Sequence, residues 1–151
     1  MQDDLNQLLV DQAQAGLTVC RIKGGDPFVF GKGYEEMDAA ASYSIPAEVI
    51  PGVSSAISVP GLLGIPVTHR GISESFWVIN GTTSSGEISS ELYLAAQSKA
   101  TVIVTNGIGK LEEIAAIFKQ EGKARLPVAV ISKGSMKDEK IVVGTVSTIN
   151  E

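Results

Sequence analysis

The sequence predicts an α/β fold, and three observations carry that prediction. Short apolar runs rich in β-branched residues alternate with segments of helical periodicity. Sixteen of the 151 residues are glycine, and several of them cluster directly after the first apolar run. Hydrophobic residues make up 44% and charged residues 19%, the balance of a chain that buries a core.

The elements follow in order. Asp3 and Asp4 suit the positive end of a helix, Leu5, Leu8 and Leu9 mark its face, and Gly16 suits its stop. Residues 17–22 read as a buried strand with Cys20 inside it as an inert core thiol. A glycine-rich loop spans Lys23 to Gly33. Residues 34–44 read as a helix and 47–50 as a strand closed by Pro51-Gly52. Ser54 and Ser55 can cap a helix that Pro60-Gly61 breaks. From Thr68 to Gly71 periodicity is absent and the chain reads as a linker. Strands at 76–79, 101–104, 127–131 and 141–146 then alternate with helices at 91–98 and 110–120, the latter marked by Leu111, Ile114, Ala115 and Phe118. The alternation implies a largely parallel sheet in each of two domains, 1–69 and 70–151. The chain opens on a helix with no strand before it and closes on 147–151, which reads as a helix cap and first turn. Both ends therefore look cut.

Composition narrows the functions. A net charge of −5 argues against general nucleic-acid or anionic-membrane binding. One Cys and one His exclude a disulfide framework and a multi-histidine metal site, so no metal is expected. No apolar run reaches the ~20 residues of a membrane span, and the first residues are acidic rather than basic, so the expected location is the cytoplasm.

The loop Lys23-Gly24-Gly25-Asp26-Pro27-Phe28 follows a predicted strand, where α/β folds bind ligands. Asp26 can accept from a ligand amine or hydroxyl, or simply cap a tight turn. Arg21, Lys23, Lys32, His69 and Arg70 can form a patch for a polyanionic small molecule, or be solvated surface charge. Glu35 and Glu36 can stabilise a helix N-terminus. His69 can be a general base or a structural donor, and Ser54, with no nucleophile elbow around it, a helix cap.

Residues 19–36, VCRIKGGDPFVFGKGYEE, resemble the signature of uroporphyrinogen III C-methyltransferases, within the tetrapyrrole methylase family. The resemblance continues through Ile45-Pro46, Val49-Ile50-Pro51-Gly52-Val53-Ser54-Ser55-Ala56 and Gly64-Ile65-Pro66-Val67-Thr68-His69-Arg70, and more weakly to the end of the chain. It implies two α/β domains with the active site in the cleft between them, the N-terminal domain incomplete, and S-adenosyl-L-methionine as cofactor with S-adenosyl-L-homocysteine as product. It implies cofactor contacts at Gly24, Gly25, Asp26, Val29, Ser54, Ser55, Asn106 and Gly134. The catalytic set it implies is Lys32, Glu35 and Arg70, with Lys32, His69 and Arg70 expected to bind the carboxylates of a tetrapyrrole substrate. It also implies a homodimer. The activity expected is conversion of uroporphyrinogen III to precorrin-2; the alternatives are methylation of a later corrin intermediate and a catalytically inactive tetrapyrrole-binding fragment. The chain departs from the family pattern at Lys32 (arginine), Tyr34 (glycine), Asn80-Gly81-Thr82 (Thr-Gly-His) and Thr105-Asn106-Gly107 (Tyr-Met-Gly). Lysine keeps the charge but not the bidentate fork of arginine.

Overall fold

The computed structural model describes residues 2–151, and their packing divides the chain at Ser54–Ser55 into two units. In the first unit α1 spans Gln2–Gln14 with Asp3 and Asp4 in its first turn, as the charge pattern requires. It packs on α2, Gly33–Ser42, and buries Val10 to 2% exposure. The Asn6 amide donates to the Glu35 carbonyl across the two helices at 3.5 Å.

Neither strand expected in this unit forms. Residues 17–22 and 47–50 are irregular, and Ile22 and Ile50 are 80% and 82% exposed. A strand is defined by its ladder partner, and among the described residues neither segment has one. Apolar β-branched composition therefore marks what these segments could pair as, without supplying the pair. The same correction applies to Cys20, which is an exposed thiol rather than a core one.

The second unit opens with α3, Ser55–Leu62, which runs through Pro60 instead of ending before it. The packing boundary lies ahead of the 69/70 boundary read from sequence because α3 makes its contacts with β2. Residues 69–73 are a hydrogen-bonded turn, not an open linker: His69 and Ser73 exchange backbone bonds at 2.8 and 2.9 Å. Then follow β1 (Phe76–Asn80), α4 (Glu91–Gln97), β2 (Thr101–Thr105), a 3-10 turn at Ile108–Lys110, α5 (Leu111–Gln120), β3 (Pro127–Ser132) and β4 (Lys140–Thr145).

β1 and β2 are parallel, in register from Phe76 opposite Thr101 to Asn80 opposite Thr105. β3 and β4 are antiparallel, from Pro127 opposite Thr145 to Ser132 opposite Lys140. The expectation of a largely parallel sheet therefore holds for β1 and β2 and not for this pair. A parallel connection needs about a dozen residues or more, and 133–139 is too short for one. The closing residues 146–150 are turns, not a helix start: the Thr148 hydroxyl accepts from the Thr145 amide at 3.0 Å and Ile149 is buried.

The core lies in the second unit. Ile114, Ala115, Ile117 and Phe118 form one face of α5 and pack with Ile79 of β1, with Leu92, Ala95 and Ala96 of α4, and with Val146 and Ile149. Leu92 is wholly buried. Leu92→Ala is expected to destabilise the chain by about 2–5 kcal/mol, read as a lowered midpoint in urea unfolding.

Candidate functional site

In the first unit the glycine-rich loop is built from backbone contacts. The Asp26 carboxylate accepts from the Phe28 N–H at 2.8 Å through Oδ1 and from the Gly52 N–H at 3.0 Å through Oδ2. Both oxygens therefore face protein donors, and of the two sequence readings the structural turn cap describes this geometry. Gly52 is required by distance: a Cβ there would lie 2.2 Å from the Gly25 carbonyl oxygen. Gly25 takes φ +82°, and its Cβ position lies 3.9 Å from the Ser54 Cα, so Gly25, Asp26 and Ser54 are brought together. Gly24 has no neighbour within 4 Å of its Cβ position and its backbone is open.

The loop continues as a compact turn. The Gly33 N–H donates to the Pro27 carbonyl at 3.0 Å, and the Val29 N–H to the Asp26 carbonyl at 3.2 Å. Phe30 and Lys32 hold left-handed backbone, φ 55° and 57°, a conformation non-glycine residues adopt only where the surroundings fix it. Phe28, Val29, Phe30, Lys32, Tyr34 and Glu35 are all exposed. Lys32 precedes α2 without a capping bond, and Glu35 stands in the first turn of that helix.

Arg21 and Lys23 are not free members of a cationic patch. Lys23 Nζ lies 2.6 Å and Arg21 Nε 3.3 Å from one Glu36 oxygen, and the Gln2 amide donates to the same oxygen at 3.4 Å. Burial raises the Glu36 pKa, but the Lys23 hydrogen bond and charge, with Gln2 and Arg21, outweigh it and hold the carboxyl below its usual range. Sequence reasoning gave Glu36 only a helix-end role, because the pairing spans 13 residues and leaves no periodic trace.

In the second unit Ser55 is the first residue of α3. His69 and Arg70 are exposed, and His69 Nδ1 donates to the Arg70 carbonyl at 2.9 Å, the structural-donor arrangement. At the carboxyl ends of β1 and β2, the Asn106 amide (φ 54°) donates to Asn80 Oδ1 at 3.0 Å. Gly81 and Gly107 meet beside this pair, with the Gly81 Cβ position 2.7 Å from the Gly107 Cα. Asn80 and Gly81 were not singled out as functional, although ligands of parallel sheets sit at such strand ends. Gly134 follows β3, and a Cβ there would strike Val59 of α3 at 2.4 Å, so packing alone requires glycine. Among the described residues no cluster of His, Cys, Asp and Glu could hold a metal ion, and no helix is long and apolar enough to cross a membrane.

The family model described as Tetrapyrrole (Corrin/Porphyrin) Methylases matches residues 2–150. A uroporphyrinogen-III C-methyltransferase of Methanocaldococcus jannaschii is 40% identical over 152 residues, 99% of this chain and 63% of the relative. A protein named siroheme synthase 1 of Cronobacter sakazakii is 39% identical over 99% of this chain and 32% of its own length. The crystal structure of a uroporphyrin-III C-methyltransferase from Thermus thermophilus, in complex with S-adenyl homocysteine, superposes with a TM-score of 0.83 at 31% identity, covering 99% of this chain and 66% of that one. The chain thus spans under two thirds of the length of these relatives.

Two outcomes are expected from this geometry. Gly52→Ala forces its methyl onto the Gly25 carbonyl and is expected to cost roughly 1–3 kcal/mol, checked by thermal unfolding and by faster exchange of the Phe28 amide. Because the Glu36 pKa is lowered in the folded state, its contribution to stability is present above about pH 4.5 and is lost as pH falls through the lower folded value. Urea titrations below pH 4.5 are expected to show a shallower acid limb in Glu36→Gln than in the unsubstituted chain.

Proposed function

The chain belongs to the tetrapyrrole methylases, and on that premise we propose that it serves the S-adenosyl-methionine-dependent C-methylation of uroporphyrinogen III to precorrin-2. The observation that supports this most is the Gly24–Asp26 loop. Its one carboxylate is turned inward onto backbone donors, and Gly24 leaves peptide groups open with no side chain over them. That arrangement suits recognition of a small amphoteric ligand by backbone N–H and C=O groups.

When bound, S-adenosyl-methionine would supply an electrophilic methyl group on its sulfonium; its S–CH3 bond would break as a bond to a substituted pyrrole carbon forms, and the resulting cationic tetrapyrrole would then lose a proton from a neighbouring position, since the methylated carbon carries none. The protein's part is alignment rather than nucleophilic attack. Gly24, Gly25, Val29 and Ser54 in the first unit, and Ser55, Asn106 and Gly134 in the second, are the groups assigned to the cofactor. Asp26 serves it by fixing the loop. The exposed ammonium of Lys32 and guanidinium of Arg70 hold the substrate's carboxylates, and His69, next in sequence to Arg70, is also assigned to the substrate. Glu35, exposed in the first turn of α2, is positioned in that segment to take up the released proton. Action in the cytoplasm fits a chain with one cysteine, and exposed Ile22, Ile50 and Val53 fit a homodimer.

The test is calorimetric titration with S-adenosyl-homocysteine, followed by transfer of labelled methyl to uroporphyrinogen III and to later corrin intermediates. One-to-one binding with turnover of uroporphyrinogen III alone is the expected result. Turnover of a later intermediate instead reassigns the substrate, and cofactor or tetrapyrrole binding with no turnover identifies a binding protein.

A further inference from the structure

The ion pair directly before the Gly24–Asp26 loop has no part in the chemistry proposed above. The Lys23 side chain is 10% exposed and that of Glu36 is 9%, in a unit whose surrounding segments lie largely open to water. The two are bonded at 2.6 Å, with Arg21 Nε at 3.3 Å from the same oxygen.

The far end of the loop is fixed by the Asp26 bonds to Phe28 and Gly52. The near end enters from residues 17–22, which no strand ladder holds. Lys23 is the residue next to Gly24, and its ammonium is anchored on α2 through Glu36. The same Glu36 oxygen also accepts from the Gln2 amide at 3.4 Å. Resting on the assignment of Gly24–Asp26 as the cofactor loop, we propose that Glu36 is a positioning residue: by holding Lys23 it fixes where Gly24 presents its open backbone.

The physical reason is charge burial. A part-buried ammonium is favoured by its counter-charge, and opposite a neutral amide it is drawn toward water. Gly24 is one peptide bond away, so the movement passes straight into the loop. Glycine lacks the side-chain contacts that would resist it.

The experiment is a double-mutant cycle read by calorimetry with S-adenosyl-homocysteine and by amide exchange of residues 24–28. Glu36→Gln and Lys23→Met are each expected to weaken binding about tenfold, and the double variant by no more than either one, because they remove the same interaction. Lys23→Arg keeps the charge and is expected to stay close to the unsubstituted chain. Val10→Ala, which loosens the α1–α2 contact without touching the pair, is expected to lower stability and leave affinity unchanged. Unchanged affinity in Glu36→Gln, losses that multiply in the double variant, or an equal loss in Val10→Ala each overturn the inference. Failure of the unsubstituted chain to bind overturns the cofactor assignment. In that case the exchange data alone decide the clamp: amides 24–28 that exchange no faster in Glu36→Gln than in Val10→Ala overturn it.

Discussion

The Asp26 carboxylate meets two backbone N–H groups on opposite sides, that of Phe28 two residues on and that of Gly52 across the unit. Most of the first unit's functional stretch follows from that bridge. It brings the Pro51-Gly52 turn against Gly25 so closely that only glycine fits at 52, and it places Ser54 beside the loop. The Pro27 carbonyl, fixed by the same turn, accepts from Gly33 and so sets the start of α2. Left-handed backbone at Phe30 and Lys32 is tolerated because both flanks of the turn are already determined. Charge-assisted hydrogen bonds of this kind are roughly twice as strong as neutral ones, which suits a unit with no sheet among its described residues.

The cations divide by the same logic. Two of the five in the expected polyanion patch, Arg21 and Lys23, face Glu36, whereas Lys32 in the first unit and His69 and Arg70 in the second are exposed. His69 is further committed at Nδ1 to the Arg70 carbonyl. In the second unit Asn80 and Asn106 satisfy one another across the ends of two parallel strands. An amide pair of this kind keeps further N–H and C=O groups at a defined orientation, which a thioether at position 106 would not.

What the sequence made legible was what local chemistry determines. α5 was readable from Leu111, Ile114, Ala115 and Phe118 because a buried helical face repeats with its own period. β1 and β2 were readable because each is an apolar run that does find a partner. Residues 17–22 have the same composition and form no strand, since pairing depends on what lies alongside and not on the run itself. Alternation alone points to a largely parallel sheet, whereas the short 133–139 connection makes β3 and β4 an antiparallel hairpin. The site shows the same division. Asp26 as a turn cap is an i to i+2 feature and was among the readings, whereas its bond to Gly52 and the Glu36 pairing with Lys23 join distant positions.

β4 carries one more consequence. Among the described residues it bonds to β3 alone, and Ile141, Val142 and Val143 are 44%, 57% and 70% exposed, with Lys140 the strand's single charge. An apolar strand with a free edge is a template for further strands, and a lone lysine is a thin gatekeeper against that. Colloidal behaviour of the chain then depends on this edge, on the exposed Ile22, Ile50 and Val53, and on the repulsion of its net charge of −5. At about 1 M salt, where the screening length falls to about 3 Å, the repulsion fades while the edge remains. Salt should therefore strengthen any pairing of β4 with an added strand relative to the charge repulsion that opposes it.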